Sequence, residues 1–345
     1  METKDTLDFT PDFAKAHAYF EARADYVPTP MTKINGPRGC VVLAKDETGR
    51  LGLGAFKALG APYAVARILD HKWQEQTGEE TLNSPAAKAF VASQTFVCAS
   101  AGNHGVGVAA GARDAGAKAR IHLADTVPES FAERLRALGA TVVRSGAVYE
   151  DSVAAATKDA EISGDILLAD GTWPGYTEIP KWVMEGYCVI AEELRAVFEI
   201  SGEWPTHVYL QAGVGGLAAA MAHMIRLNWT EQPELLVVEP QAATCLQDSH
   251  KAGRPTQATG PESNMGRLDC KDPSIVAWSV LERCNVSYAM LTEKEGATAA
   301  SQVTALGIPT TPSGAAGYGA IAHENDALLE SDDYRPLVII SETAT

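Results

Sequence analysis

The chain contains no CxxC pair, no HxxxH or HExxH arrangement, and no histidine at metal-ligand spacing from its six cysteines (Cys40, Cys98, Cys188, Cys245, Cys270 and Cys284). A zinc site therefore has no ligand set, no metal is expected, and the scattered thiols read as buried free cysteines. Apolar residues never run to the ~18–20 needed to span a bilayer. The opening METKDTLDFT carries acids where a signal peptide has an apolar core, so a cytoplasmic protein is expected. Positive charge is scarce: 28 Lys and Arg stand against 44 Asp and Glu, a formal net charge of −16. Nucleic acid and anionic membrane surfaces are poor partners for such a chain, because both need a basic footprint. No glycine turn leads into GKS or GKT, which excludes a Walker A loop, and there is neither an internal repeat nor a low-complexity tract.

What is present is enough apolar material for a large core: 345 residues, 46% hydrophobic and 21% charged. From Ala86 to about Leu168, short apolar runs alternate with helical patterns, beginning with Thr95–Ser100 and a helix from about His104. A second series of the same kind resumes at Val208 and ends on the apolar run PLVIIS (336–341). Alternation of this kind implies parallel sheets flanked by helices. The expected fold is α/β and two-lobed, with residues 1–85 and 168–345 forming a large domain and 86–167 a small inserted one. Ligands usually bind in the cleft of such a pair.

Three stretches carry chemistry. In LGLGAFKALG (51–60), Leu53, Phe56, Gly60 and Tyr63 recur at helical spacing, and Lys57 lies four residues from Leu53. That predicts a lysine on the apolar side of a helix. Loss of hydration would favour its neutral amine, a nucleophile able to form a Schiff base with a carbonyl; the alternative is a lysine that snorkels to solvent. In QAGVGGL (211–217), an apolar strand leads through Gly213, Val214, Gly215 and Gly216 into an alanine-rich helix, so successive backbone N–H groups and the helix dipole converge on an anion. The alternative is a glycine turn needed only for tight packing. In ASAGNHGVG (99–107), Ser100 and Asn103 end a strand and could bind a polar ligand edge-on, or Asn103 could cap the next helix. GVGVAAG (105–111), with Asp125 beyond it, superficially matches a dinucleotide fingerprint, but a second anion loop and a buried lysine are not explained by a nicotinamide cofactor. Lysine, asparagine turn and phosphate loop together suit pyridoxal 5′-phosphate.

At this point the chain resembles the fold-type II, tryptophan-synthase-β-like, pyridoxal-phosphate enzymes, and within them the diaminopropionate ammonia-lyases, with features of serine and threonine dehydratases. The resemblance rests on KDETGRLGLGAFKALG (45–60), SAGNHGVGVA (100–109), DGTWPGYTEIPKWVMEGY (170–187), QAGVGGLAAA (211–220), VVEPQAATCL (237–246), SNMGRL (263–268) and PSGAAGYGA (312–320). It implies that Lys57 is the Schiff-base lysine, that Asn103 contacts the ring hydroxyl, and that Gly213, Val214, Gly215 and Gly216 hold the phosphate. It further implies Ser341, with Ser313 as second candidate, at the pyridine nitrogen. Ser100 and its neighbours would receive the substrate carboxylate, and Asp170 is the acid of the substrate pocket, able to attract a second amine. The implied reaction is β-elimination of an amino or hydroxyl group from an L-2-amino acid, giving a 2-oxo acid and ammonia, in a homodimer. Two features depart from the ammonia-lyase pattern. Ala101 stands where those enzymes carry an acid, as in the dehydratases, and the chain ends at SETAT. Ala101 implies L-substrates and leaves a hydroxyl leaving group open (serine, threonine or hydroxyaspartate). A non-enzymatic amino-acid or cofactor sensor on the same lobes is the reading from a different class.

Overall fold

A computed structural model describes residues 7–79 and 81–344. The first six residues of the stretch read for a leader, Glu80 in the polar loop TGEETLNSP, and the final Thr345 lie outside the described residues. The chain divides into two compact units. One comprises Met1–Phe56, Gly171–Thr177 and Tyr187–Thr345; the other comprises Lys57–Asp170 and Glu178–Gly186.

The larger unit is built on a six-stranded sheet. Its strands are β1 (Met31–Asn35), β2 (Val41–Asp46), β7 (His207–Gln211), β8 (Glu234–Pro240), β9 (Ser287–Leu291) and β10 (Pro336–Ile340), in the spatial order β1-β2-β10-β7-β8-β9. Only β1 runs antiparallel to its neighbour. Every residue of β10 is buried, as its unbroken PLVII predicts for a central parallel strand covered on both faces. Against this sheet pack helices that include α8 (Gly216–Asn228), α11 (Glu293–Ala305) and α12 (Ala316–Ala320). The five parallel strands have their C-terminal ends on one edge, where Gln211 and Ile340 hand the chain to the loops that follow.

The smaller unit holds four parallel strands in the order β5 (Thr141–Arg144), β4 (Lys118–Leu123), β3 (Thr95–Ala99), β6 (Ile166–Leu167). Its helices include α2 (Lys57–Thr77), α3 (Pro85–Ser93), α4 (Asn103–Ala115), α5 (Glu129–Ala137) and α6 (Tyr149–Ser163). The longer stretch of this unit runs from Lys57 to Asp170, and Glu178–Gly186 belongs to it as well; the sequence reading had the inserted domain at 86–167. Glycine explains the earlier start. A Cβ at Gly107 would lie 2.9 Å from the Lys57 carbonyl oxygen, and one at Gly111 would lie 2.6 Å from Pro62 Cα, so α4 is cut back to let α2 press against its backbone. The glycines of GVGVAAG therefore serve close packing, and at Gly105 a Cβ would lie 2.7 Å from the Ser100 carbonyl oxygen.

Candidate active site

Lys57 is the first residue of α2, which corrects its expected place inside a helix running from Leu51. Residues 50–52 form a 3-10 turn in which Leu51 (φ 49°) and Gly52 (φ 67°) are left-handed, and Gly54 (φ 85°) follows. Such backbone cannot carry a helical stripe. Leu53 and Phe56 thus share no helical face with Lys57. The turn is held from behind by a buried network: Arg50 is fully buried, its guanidinium donates to Glu47 and Glu193, and Lys45 donates to Glu193 as well. Two cations face two anions, so the group is neutral overall. Backbone bonds from Phe56 N to Ser341 O (3.0 Å) and from Thr343 N to Gly54 O (2.9 Å) fix the residues just ahead of the lysine.

Lys57 Nζ donates to Asp170 Oδ2 in a tight ion pair, with side-chain exposures of 22% and 27%. Asp170 lies three residues past β6, at the end of the longer stretch of the smaller unit. Burial works against its ionisation, but the charges of Lys57 and His104, the Lys57 hydrogen bond and a backbone hydrogen bond outweigh that effect. They hold its carboxyl well below the usual carboxylate range. His104, one residue into α4 and buried, joins the pair: Nδ1 lies 4.0 Å from Asp170 Oδ2, and Nε2 is 2.9 Å from the Leu168 carbonyl. A carbonyl only accepts, so Nε2 carries a hydrogen, and Nδ1 has no hydrogen-bond partner among the described residues. Burial pushes the imidazole below its ordinary value; Asp170 opposes that and Lys57 reinforces it. The sequence reading had passed over His104, although it sits inside the quoted SAGNHG.

Asn103 is the first residue of α4; the cap is Gly102, without a side-chain bond, so Asn103 is not the capping residue. Ser100 Oγ accepts from Gly102 N (3.2 Å) and Gly105 N (3.1 Å), which shapes the turn carrying Ala101 and Asn103.

In the larger unit, β7 passes through residues 212–215 into α8, whose cap is Gly215 at φ 103°. A Cβ at Gly213 would meet Cys270 Sγ at 2.9 Å, and one at Gly215 would meet Leu246 at 3.0 Å, so side chains are excluded at both positions. Among the described residues, no hydrogen bond takes up the backbone N–H groups of Gly213, Val214, Gly215 or Gly216. Four unclaimed donors at the N-terminus of a 13-residue helix fit a phosphate. Ser313 and Ser341, both buried, are brought close: Ser341 N donates to Gly314 O at 3.2 Å. Ser313 Oγ accepts from Arg267 N at 3.1 Å, which leaves its own hydrogen free to be donated. The described residues include no group of three or more His, Cys, Asp or Glu able to hold a metal, and no helix long and apolar enough to cross a membrane.

The smaller unit thus carries an amine paired with a carboxylate, which suits an aldehyde, and the larger unit carries an amide-lined glycine loop, which suits a phosphate. Residues 23–342 match the family described as pyridoxal-phosphate dependent enzyme, and the chain belongs to that family. Its cofactor is pyridoxal 5′-phosphate, which sets aside the nicotinamide reading, and membership of a family of enzymes sets aside the sensor. Within the family, the chain is 36% identical over 292 residues to a diaminopropionate ammonia-lyase of Salmonella typhimurium strain LT2, covering 80% of this chain and 72% of that protein. The Escherichia coli K12 diaminopropionate ammonia-lyase is 31% identical over 322 residues, covering 89% and 80%. The crystal structure of the Escherichia coli enzyme in complex with D-serine superposes with a TM-score of 0.84 at 29% identity, covering 99% of this chain and 91% of that one.

Proposed function

We propose that the protein is a β-eliminating ammonia-lyase for an L-2-amino acid with a β-amino group, of the diaminopropionate type, releasing a 2-oxo acid and ammonia. The Lys57–Asp170 ion pair is the observation that carries this reading. Pyridoxal 5′-phosphate, when bound, supplies an electrophilic aldehyde and a ring that withdraws electrons from the substrate α-carbon. Lys57 gives the amine that anchors it, Gly213, Val214, Gly215 and Gly216 hold its phosphate, Asn103 meets its ring hydroxyl, and Ser341 or Ser313 donates to its ring nitrogen. A neutral hydroxyl there does not hold the nitrogen protonated as a carboxylate would, which favours elimination over transamination. Lys57 Nζ would be the base for the substrate α-proton, and the ionised Asp170 would stabilise the ammonium that results. The turn of Ser100 and Ala101 receives the substrate carboxylate, and Asp170 also attracts a second amine.

The leaving group discriminates between two readings. A β-ammonium departs as neutral ammonia, whereas a β-hydroxyl must first be protonated, and the proton just taken by Lys57 is the one at hand. Ala101 in place of an acid favours the second reading, a serine, threonine or hydroxyaspartate dehydratase, and in either case removes a base from the turn, which restricts the enzyme to L-substrates. We further propose that it works in the cytoplasm as a homodimer; its resemblance to fold-type II enzymes supports the homodimer. The test is a panel of L- and D-diaminopropionate, serine, threonine and hydroxyaspartate with 2-oxo acid and ammonia both quantified. Diaminopropionate is expected to give twice as much ammonia as 2-oxo acid. Equal amounts from a hydroxy amino acid alone would establish the dehydratase, rapid turnover of D-diaminopropionate would overturn the inference from Ala101, and no 2-oxo acid from any substrate would overturn both readings.

A further inference from the structure

Gln211 closes β7 immediately ahead of the glycine loop, and only 2% of it is exposed. The ladder between β7 and β10 runs from Pro336↔His207 to Val338↔Tyr209. Beyond that register the Gln211 side chain takes over: Nε2 donates to Ile339 O at 2.7 Å and to Gly314 O at 3.2 Å. Gly314 O also accepts from Ser341 N. One primary amide thus joins three segments: the strand end that launches residues 213–216, the turn that carries Ser313, and the strand end that leads to Ser341. Its other atom tells a different story. Oε1 is buried with no hydrogen-bond partner among the described residues, under Gly317, where a Cβ would lie 3.1 Å from Oε1 and 2.9 Å from the Tyr209 carbonyl oxygen. A side chain selected for stability alone would avoid an orphaned buried acceptor, since an apolar residue of equal volume leaves none.

We propose that Gln211 is a positioning residue for the cofactor. It sets the spacing between the phosphate loop and the hydroxyls of Ser313 and Ser341, so that the phosphate end and the ring-nitrogen end of pyridoxal phosphate are held together. This rests on the assignment of residues 213–216 to the phosphate and of the two serines to the ring nitrogen. The cofactor is a rigid ring, so anchors held at the wrong spacing cannot both be satisfied; pre-organisation of the anchors is then affinity. Gln211 itself touches neither end.

The test titrates apo-protein with pyridoxal phosphate, following intrinsic fluorescence and the visible absorption band, in Q211M, Q211E, G213A and the pair Q211M/S341A. Gln211→Met keeps the volume and removes both donors. It is expected to weaken cofactor binding about tenfold, equivalent to ~1.4 kcal/mol, and to shift the band. It should lower kcat while KM for the amino acid changes by less than about twofold, with the melting temperature of the apo-protein unchanged. Its effect should be less than additive with Ser341→Ala, because both act on one anchor. Gln211→Glu is expected to behave in the same way and serves if Q211M does not fold; failure of both to fold would make Gln211 a plain core residue and overturn the proposal. Wild-type affinity and band in Q211M alongside weakened binding in G213A overturns the positioning role and leaves the loop assignment standing. Wild-type affinity in G213A removes the phosphate-loop reading itself. A lowered apo-protein melting temperature with an unmoved band would assign Gln211 a structural role and sink the proposal.

Discussion

Replacing Asp170 by Asn keeps the shape of the side chain and removes the carboxylate that pairs with Lys57 Nζ. Two unit charges about 4 Å apart interact by ~4 kcal/mol at an effective dielectric of ~20. Both side chains keep about a quarter of their exposure, 22% and 27%, so solvent screens part of this interaction. A loss of ~2–3 kcal/mol in stabilising the Lys57 ammonium formed after proton transfer corresponds to a fall in kcat of roughly 30- to 150-fold. The pH dependence carries the sharper signature. A carboxyl whose folded value is depressed contributes above its unfolded value and is lost only as pH falls through the folded one. For Asp170 that value lies well below the usual range. The ratio of wild-type to D170N activity, measured by 2-oxo acid release, is therefore expected to stay flat from neutral pH down through ~4. A ratio that collapses towards one between pH ~6 and ~4 would show an ordinary carboxylate, and a variant with near wild-type kcat would refute the role of the pair.

Other perturbations follow from the same geometry. Arg50→Met leaves the buried carboxylates of Glu47 and Glu193 with Lys45 as the remaining cation of the network, one negative charge in excess, and is expected to cost about 3–5 kcal/mol in chemical denaturation. Gly111→Ala drives a methyl to 2.6 Å from Pro62 Cα, and should lower stability by ~1–3 kcal/mol, read as a drop in melting temperature. His104 is held below its ordinary value by burial, so its unfolded form binds the proton first as pH falls; wild-type melting temperature should decline below pH ~6.5 more steeply than that of H104Q. Gly215→Ala forces a side chain into φ 103° and is expected to weaken pyridoxal phosphate binding, measured by fluorescence titration.

How far the sequence could be read depended on whether the signal was local. The central strands were legible because parallel pairing leaves them apolar on both faces, as in the fully buried PLVII of β10. Strand β1, MTKIN, carries little strand signal of its own: it is a half-exposed edge whose strand character comes from pairing with β2. Helix α3 went unread although Ser84, which accepts from Ala87 N, and Pro85 are an N-terminal signature. The lysine helix was started six residues early. Gly52 and Gly54, both left-handed, were the warning that LGLG is a turn. Lys57 itself stood out, but its partner lies 113 residues away, and no periodicity reports a pairing of that separation. The glycines of α4 carried a real signal that was misdirected, since the same residue that lets a phosphate approach also lets a helix approach. Gln211 was invisible for a similar reason: its meaning is in two carbonyls on segments about a hundred residues downstream.

The claim on which the rest depends is that Lys57 carries the cofactor. Reduction of the purified holoenzyme with borohydride, followed by proteolysis and mass spectrometry, fixes the phosphopyridoxyl group on whichever lysine bears it. The account predicts a single modified peptide, containing Lys57, and none in Lys57→Ala. Modification of another lysine, or a Lys57→Ala protein that still forms the reducible adduct and turns over substrate, would contradict it.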